Sequence, residues 1–291
     1  MKHSLFTLVL GTVLLSCNRD HDNNEITVPE TEKQVLVKKL SGEDDIYIRY
    51  KNGNEIQYLI AHERSQGVSV SYEYDGSGKI IKENRFDHPF NSGKANITYQ
   101  YDNQGRLTSS YMVHTTTDTG CTIERKHTYT YQGNKVTVKI EIGADNCSST
   151  PKTAKEKTIT LFIENGRVVK SLNENNEIIE TIEYHNTKNA LRNIKGFPAL
   201  VAEFYIREFT YELPNYNFIE SIHDFRFIDN IKTRDYPSGY YNLYKYDDDK
   251  GNSYDGDYPA AVFIFDKSHN DPTLSDHLWY LNAYRSYIKE E

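Results

Sequence analysis

Two stretches of this sequence share one skeleton: residues 71–80 read SYEYDGSGKI, and residues 97–107 read ITYQYDNQGRL. Each contains tyrosine, any residue, tyrosine, aspartate, two further residues, glycine, a basic residue and an aliphatic residue. Alternating aromatic residues followed by a turn signal are typical of a β-hairpin. The repeated skeleton therefore predicts two hairpins of the same design.

The glycine of each stretch predicts the loop of its hairpin. Gly78 and Gly105 each follow an aspartate at the place where a three-residue loop requires a residue with positive φ. Aspartate suits the start of such a turn because its carboxylate accepts hydrogen bonds from backbone N–H groups. The predicted cross-strand pairs are Tyr74 with Ile80 and Tyr101 with Leu107.

Two further stretches fit the same design with shorter loops. A Gly133-Asn134 loop lies within HTYTYQGNKVTVKI, and an Asn165-Gly166 turn lies within LFIENGRVV. RYKNGNEI, from Arg49, carries another Asn-Gly turn signal, and weaker copies occur in IEYHNTKNAL and YKYDDDKGN. Because an isolated hairpin is only marginally stable, we expect these hairpins to bury one shared face side by side. The predicted pairs are Tyr131 with Val136, Tyr129 with Val138, Ile163 with Val168, and Glu164 with Arg167.

With Tyr74-Asp75 before Gly78 and Tyr101-Asp102 before Gly105, the chain resembles YD-type (Rhs-like) repeats. The arrangement over residues 46–266 is similar to a group of Bacteroidota lipoproteins of unknown function built from such hairpins. The dipeptide is lost after Tyr131 and returns only at Tyr246-Asp247. The resemblance implies an antiparallel, curved sheet or barrel-like architecture, and it carries over no catalytic residue or cofactor.

Composition agrees with an all-β protein. The 291 residues include 24 Tyr and 12 Phe, and strand-favouring residues dominate the alternating segments. We predict an antiparallel meander of consecutive hairpins forming a curved sheet or open barrel-like structure. The net charge of −8, with 42 acidic and 34 basic side chains and no basic cluster interleaved with aromatic residues, excludes nucleic acid as the expected partner.

Two segments depart from strand alternation. The stretch GFPALVAEFYIREF begins like a helix after Pro198. The segment TLSDHLWYLNAYRSYIKEE fits a short C-terminal helix, although a strand with the same content is the alternative. The residues on one face of that helix would be Leu274, Leu278, Leu281, Tyr284 and Ile288.

The N-terminus has the pattern of a lipoprotein signal peptide. Met1-Lys2-His3 is a short basic start, residues 5–15 form an apolar run, and Leu14-Leu15-Ser16-Cys17 resembles a bacterial lipobox. A buried strand or helix with a stray cysteine is the alternative. Cleavage before Cys17 would leave a lipidated cysteine, and several acyl chains on one residue attach stably to a membrane.

The N-terminal pattern divides the chain into a signal peptide at residues 1–16, a flexible polar tether at residues 17–33 and one β-rich domain at residues 34–291. Asn18 is not the aspartate associated with inner-membrane retention of many lipoproteins. We therefore expect a lipid anchor in the outer membrane, on its periplasmic side or at the cell surface.

Cys121 and Cys147 are the cysteines that remain after lipidation, and they flank the hairpin around Gly133-Asn134. A bulge of one residue would bring them opposite each other. In an exported protein a disulfide between them is expected, with two free thiols as the alternative.

The sequence contains no pattern that specifies a reaction. It lacks the Gly-x-Ser-x-Gly, His-Glu-x-x-His and Cys-x-x-Cys motifs and a phosphate-binding loop, and His223, His269 and His277 are isolated. We therefore expect no catalytic residue and no cofactor. A carbohydrate-active hydrolase that uses unrecognised carboxylates is the alternative.

The segment YDDDKGNSYDGDYP, from Tyr246, is the densest acidic stretch. Its carboxylates could hold Ca²⁺, but its spacing does not match an EF-hand loop, because Gly251 comes one position early and the terminal glutamate is absent. We therefore interpret it as a solvated acidic loop and predict no metal site. The carboxylates concerned are those of Asp247, Asp249, Asp255 and Asp257.

Tyrosines crowd around the same segment. Their rings could bind a glycan or a protein partner, although tyrosine on a strand is more often half-buried sheet packing. The leading interpretation is an envelope-anchored binding or scaffold lipoprotein, accessory to an outer-membrane complex or to glycan uptake; an immunity or adhesion factor would differ only in its partner. The predicted ligand-binding residues are Tyr240, Tyr241, Tyr244 and Tyr254, beside Tyr236, Tyr246 and Tyr258.

We predict that Cys121 and Cys147 are bridged in the exported protein. By the loop-entropy model, a bridge of this length contributes about 3 kcal/mol to the free energy of unfolding. Non-reducing peptide mapping should recover the two cysteines in one linked peptide pair. Recovery of both as free thiols would show that the prediction is wrong.

Overall fold

The computed structural model describes residues 35–41, 45–63, 66–87, 93–115, 120–143, 154–186, 190–208, 231–238, 240–246, 262–268, 277–282 and 284–289. All of them lie in the compact unit Lys33–Glu291, and the other unit, Met1–Glu32, falls outside them. None of the helices in these ranges is long and apolar enough to cross a membrane.

Most of the described chain is β-strand. The strands are β1 (Val35–Ser41), β2 (Asp45–Lys51), β3 (Glu55–Glu63), β4 (Gln66–Tyr74), β5 (Ile80–Asp87), β6 (Lys94–Tyr101), β7 (Leu107–Thr115), β8 (Thr122–Gln132), β9 (Lys135–Ile142), β10 (Lys155–Glu164), β11 (Arg167–Leu172), β12 (Ile178–Tyr184), β13 (Ile231–Asp235), β14 (Tyr240–Tyr246), β15 (Val262–Ser268), β16 (His277–Asn282) and β17 (Tyr284–Lys289). Two 3₁₀ turns, Ala190–Asn193 and Phe197–Leu200, and one helix, α1 (Val201–Glu208), separate β12 from β13.

Consecutive strands from β2 to β16 pair in antiparallel order within one sheet. The first strand, β1, pairs with both β2 and β17. The predicted all-β antiparallel meander is therefore confirmed, and so is the helical start after Pro198.

The predicted C-terminal helix is wrong for the part of that segment that the structure describes. Residues 277–282 and 284–289 are strands, with Leu278 opposite Phe265 and Ile288 opposite Leu36. The physical reason is that β15 and β1 each need a neighbour for their backbone N–H and C=O groups, and these two strands supply it. Sheet pairing thus overrode the helical spacing of the leucines.

The predicted turn geometry is confirmed at both tyrosine-aspartate copies. Asp75 Oδ1 accepts hydrogen bonds from the backbone N–H groups of Ser77 and Lys79, each at 2.9 Å. Asp102 Oδ1 makes the same two bonds to Gln104 and Arg106, each at 2.9 Å. The glycines follow at positive φ, and each predicted cross-strand pair occurs in the sheet.

A third copy of this turn occurs where no tyrosine-aspartate dipeptide indicates it. Asn173 Oδ1 accepts from the N–H groups of Asn175 and Glu177, each at 2.9 Å, in the turn between β11 and β12. Asn176, with φ of 62°, takes the place of the glycine. Asparagine can replace both residues because its side chain caps the turn and its backbone tolerates the left-handed region.

A basic residue directly before or after a turn contacts the next hairpin. Its charge lies over the ring of the tyrosine that closes a neighbouring strand, which adds a cation–π attraction between hairpins. Two of these tyrosines also donate a hydroxyl hydrogen bond to the backbone of the strand before: Tyr101 to Ile80 at 2.7 Å and Tyr184 to Val168 at 2.5 Å. The cation and ring pairs are Lys51 with Tyr74 at 5.6 Å, Lys79 with Tyr101 at 5.5 Å, Arg106 with Tyr131 at 4.7 Å and Arg167 with Tyr184 at 5.2 Å.

Several of the described strands, such as β6 and β8, place alternate residues on a buried face. In β6, Ala95, Ile97 and Tyr99 are buried, whereas Lys94 and its alternate neighbours are exposed. The buried faces of many strands belong to one apolar core together with Phe197, Leu200 and the apolar residues of α1. The sheet therefore buries the helical segment on one face, and the exposed positions of β6 on its other face are polar or charged.

The helical segment is fixed to the turns of the sheet. The backbone N–H of Lys195 donates to Asn54 O at 3.0 Å, and Asn54 Nδ2 donates to Asn193 O at 2.7 Å. Gly196, with φ of 86°, then lies so close to β5 that a Cβ atom there would be 2.8 Å from Cγ1 of Ile80. The position requires glycine both for its backbone conformation and for its proximity to the sheet.

We predict that Gly196→Ala lowers the free energy of unfolding by about 2–4 kcal/mol, because it combines backbone strain with a clash against β5. Urea unfolding followed by circular dichroism measures the effect. Gly76→Ala is the matched control: a Cβ atom at Gly76 meets no heavy atom within 4 Å, so we expect a change under about 1 kcal/mol. Equal effects of the two substitutions would contradict this account of the close contact.

Candidate functional site

The apolar core contains an extensive set of buried polar side chains. They come from α1 and from the strand face that covers it, and we call them the polar core. Buried charged groups need partners, so each group of this set has to be explained. Its members are Glu83, Arg85, Ser110, His114, Arg125, His127, Ser171, Glu180, Glu203, Arg207 and Arg234, with the hydroxyls of Tyr99, Tyr129 and Tyr205.

Helix α1 supplies the centre of the polar core. All residues from Val201 to Arg207 are buried, so this short helix has no solvent-exposed side over that range. Glu203 and Arg207 stand one turn apart, and Arg207 Nε donates to Glu203 Oε1 at 3.0 Å. A fully buried helix with ionic side chains requires matching polar groups on the sheet around it.

Glu203 bonds the helix to β7 and β8. Its Oε2 accepts from Ser110 Oγ at 2.7 Å and from the hydroxyl of Tyr129, and it lies 3.0 Å from His127 Nδ1. Burial alone would raise the pKa of Glu203, but His127 and Arg207 hold that pKa well below its ordinary value. The carboxylate is therefore ionised throughout the neutral range.

Arg207 bonds the helix to β5 and β6. Its Nη2 donates to Glu83 Oε2 at 3.0 Å and also contacts the hydroxyl of Tyr99. The same Glu83 oxygen accepts from Tyr99 at 2.7 Å, and the other oxygen accepts from Arg85. Glu83 is thus surrounded by donors from three elements.

Tyr205 extends the network to the opposite side of the helix. Its hydroxyl contacts Ser171 Oγ at 2.6 Å on β11 and donates to Glu180 Oε1 on β12. Glu180 Oε2 accepts from Arg234 Nε on β13 at 2.6 Å. Burial raises the pKa of Tyr205 well above its ordinary value, so the hydroxyl keeps its proton and remains a donor.

The three carboxylates of the polar core are bonded to arginine side chains. A general acid needs a raised pKa and access to a substrate. Glu83, Glu180 and Glu203 are instead buried and bonded to arginine, and the pKa of Glu203 is lowered. The arrangement therefore holds α1 against the strands on both of its sides.

A cleft of about 640 Å³ lies at the ends of interior strands, where the β11–β12 turn meets the end of β13. Thr181 and Asp235 are cross-strand neighbours there. The Arg234 guanidinium lies 5.7 Å from the centroid of the Tyr236 ring, which links the cleft to the polar core. The cleft is lined by Asn173, Glu177, Ile178, Thr181, Asp235, Tyr236 and Pro237.

The predicted ligand-binding tyrosines are only partly located. Tyr240, Tyr241 and Tyr244 lie on β14, and Tyr241 is the register partner of Asp235 at the cleft. Tyr246 ends β14, while Tyr254 and Tyr258 fall outside the described residues. The structure therefore places one predicted position, Tyr241, beside a cleft that sequence reasoning did not identify.

The remaining predicted sites lie largely beyond the described ranges. Cys17, Cys147 and the acidic positions Asp247, Asp249, Asp255 and Asp257 fall outside them. Cys121, directly before β8, is disulfide-bonded, and its pairing with Cys147 stays a prediction. Within the described ranges, no group of three or more His, Cys, Asp and Glu side chains is arranged to hold a metal ion.

Sequence reasoning missed the polar core. A signal existed in β8, where Arg125, His127 and Tyr129 share the buried face with Ile123. Charged residues at inward positions indicate a polar partner inside the fold. The partner was not visible because Glu203 and Arg207 lie far away in sequence, on a helix whose position no local pattern fixes.

No protein-family model matches this sequence, and none of the curated proteins matches it. Among solved structures, the chain is similar to a porin-like protein from Bacteroides uniformis, with 12% sequence identity and a TM-score of 0.33 over 85% of this chain and 77% of that chain. The resemblance to YD-type repeats stays a prediction from the sequence.

We predict that Glu203→Gln lowers the free energy of unfolding at pH 7 by about 3–5 kcal/mol, because it removes the buried negative charge that Arg207 Nε contacts at 3.0 Å and His127 Nδ1 contacts at 3.0 Å. The pKa of Glu203 is lowered by folding, so its contribution is present above the ordinary value of 4.5 and is lost as the pH falls below it. Denaturant unfolding at several pH values should therefore show a smaller acid sensitivity in the variant.

Glu73→Gln is the matched control for this experiment. Glu73 is exposed and pairs with Lys82 at 3.0 Å, so its removal should change the free energy of unfolding by less than about 1 kcal/mol. The interpretation of the polar core is wrong if Glu203→Gln remains as acid-sensitive as the parent protein.

Proposed function

We propose that this protein is an outer-membrane lipoprotein that acts by binding a partner rather than by catalysis. The lipobox-like sequence that ends at Cys17 supports the anchor. One structural observation carries the binding role: the carboxylates of Glu83, Glu180 and Glu203, which converge inside the fold around α1, are bonded to arginine side chains. The residues left for recognition are the exposed ones, such as those that line the cleft.

The rigidity of the sheet supports this proposal. The helix is bonded to β5, β6, β7 and β8 on one side and to β11 and β12 on the other. A binding surface on such a scaffold loses little conformational freedom when a partner docks, which favours affinity. The exposed positions of β6 are polar or charged, as expected for a surface that faces water.

The hydrolase alternative finds no specific support in the described residues. A glycosidase needs two carboxyl groups that flank a substrate-accessible space. The buried carboxylates Glu83, Glu180 and Glu203 face arginine, tyrosine and serine side chains instead. Glu177 and Asp235 line the open cleft. Their carboxylates can accept hydrogen bonds from a bound partner.

We predict that Cys17→Ala moves the protein from the membrane fraction to the soluble fraction, because the lipidated side chain is lost. Detergent partitioning of cell envelopes measures this change. Ser16→Ala is the matched control, since it keeps a small residue before the cysteine and should leave the protein in the membrane. Retention of Cys17→Ala in the membrane at the parent level would overturn the anchor.

The binding role is tested with the lipidated parent protein. Affinity purification from its own envelope should recover a stoichiometric protein or glycan partner. Tyr241→Ser, at the register position beside the cleft, should reduce that recovery while the melting temperature stays close to the parent value. Recovery of the protein alone under mild detergent conditions would count against binding as its role.

A further inference from the structure

We infer that Asn165 is a site of spontaneous deamidation, and that this modification changes the attachment of the helical segment to the sheet. The Asn165-Gly166 turn joins β10 to β11, and Asn52-Gly53 lies in the turn between β2 and β3. These are the two Asn-Gly pairs of the sequence. Glycine has no Cβ atom, so its backbone nitrogen can approach the side chain of a preceding asparagine closely. The inference goes beyond the proposed binding function and does not depend on it.

The reaction needs water and no enzyme or cofactor. The backbone nitrogen of Gly166 attacks Cγ of Asn165, the Cγ–Nδ2 bond breaks, and ammonia leaves with the proton that the glycine nitrogen loses. Water then opens the resulting succinimide ring. Opening at Cγ gives aspartate, and opening at the backbone carbonyl carbon gives isoaspartate, whose main chain is longer by one methylene group. No group is oxidised or reduced, and a neutral amide becomes a carboxylate.

The surroundings of Asn165 allow this reaction. Asn165 is exposed, and among the described residues no hydrogen bond to its side-chain amide is present. Asn165 and Gly166 have positive φ, 51° and 72°, as in a tight two-residue hairpin turn. The succinimide ring constrains the backbone of the asparagine, so the turn has to open locally before the ring closes. The bonds that hold a turn closed therefore set its reaction rate.

Hydrogen bonds hold the Asn52-Gly53 turn closed. Asn52 Nδ2, which carries the nitrogen that would leave, donates to Glu55 Oε2 at 3.1 Å, and Glu55 Oε1 accepts from Lys195 Nζ at 2.9 Å. The neighbouring Asn54 accepts from the backbone N–H of Lys195 at 3.0 Å and donates to Asn193 O at 2.7 Å. Because these bonds break or move when the turn opens, its local opening is rare.

The Asp75-Gly76 pair is protected by its charge. Aspartate can form the same ring by losing water, but its ionised carboxylate reacts poorly because the oxygen is a poor leaving group. Hydrogen bonds from the Ser77 hydroxyl and from the backbone N–H of Lys79 hold the pKa of Asp75 below its ordinary value. The carboxyl group is therefore ionised at neutral pH, and we expect Asn165 to react first.

Arg192 connects the modification to the helical segment. Its Nη2 donates to Gly166 O at 2.8 Å, which joins the 3₁₀ turn Ala190–Asn193 to the β10–β11 turn. Isoaspartate at position 165 displaces that carbonyl, because the lengthened chain no longer fits a two-residue turn. Aspartate keeps the chain length and adds a carboxylate close to the guanidinium, whose Nη1 lies 3.5 Å from the position of a Cβ atom on Gly166. The isoaspartate product therefore weakens this contact, and the aspartate product keeps it.

The experiment uses the full lipidated protein in detergent, incubated in mildly alkaline buffer. Peptide mapping by mass spectrometry measures amide-to-acid conversion at both Asn-Gly pairs, and methylation by an isoaspartyl methyltransferase identifies the isoaspartate product. We expect conversion at Asn165 to be about tenfold or more faster than at Asn52, whose turn has more hydrogen bonds to break. In urea, where both turns are unfolded, the two rates should agree within about threefold.

Two variants test the structural explanation. Glu55→Ala removes the acceptor of Asn52 Nδ2 and should raise the rate at Asn52 about fivefold, with the rate at Asn165 unchanged. Asn165→Asp introduces the charge without the longer chain. Amide hydrogen exchange over Ala190–Asn193 should be faster in the isoaspartate fraction than in the parent, and Asn165→Asp should match the parent. If Glu55→Ala lowers the melting temperature, the comparison of native protein with urea replaces it.

Each outcome decides the inference. Faster conversion at Asn165 in the folded protein, with similar rates in urea, supports the site. Equal conversion at both pairs in the folded protein overturns it, and so does a folded protein that converts at neither pair while the urea-treated chain converts at both. Unchanged hydrogen exchange of Ala190–Asn193 in the isoaspartate fraction overturns the effect on the helical segment. These measurements involve neither the lipid anchor nor a binding partner.

Discussion

The ion pair between Glu203 and Arg207 on one turn of a buried helix is the constraint on which the rest of this structure depends. Two charges removed from water are unfavourable unless their remaining hydrogen-bonding groups are satisfied. Here the sheet satisfies them, through Ser110 and Tyr129 for the glutamate and through Glu83 for the arginine. The ion pair therefore fixes which strands face the helix and where along those strands the helix lies.

The turns and the polar core hold different parts of the same sheet. The aspartate or asparagine caps fix each hairpin locally. The cation over the tyrosine ring, as in Arg106 and Tyr131, joins one hairpin to another at the turn end of the strands. The polar core then joins distant strands through the helix. Local hairpins are marginal alone, and their common attachment to one buried element makes the sheet a single cooperative unit.

These two kinds of interaction, the turns and the polar core, connect the structure to the proposed binding role. Charged groups inside the fold bond one another, and the contact of Arg234 with Tyr236 extends that bonded set to the end of β13. Under the proposed binding role, the hairpins support the exposed residues, and a partner docks on a surface that is already ordered, which lowers the entropic cost of binding.

The sequence by itself determined the hairpins, because a turn such as Asp102 to Arg106 and its cross-strand register depend only on neighbouring residues and on the period of two in a strand. It also determined the helical start after Pro198. Only the tertiary structure decided that the C-terminal segment is a strand, because β1 and β15 required partners for their backbone groups. The tertiary structure alone also determined the polar core and the cleft, because their residues are far apart in sequence. No local pattern predicts which distant charged residue will pair with a buried Glu203.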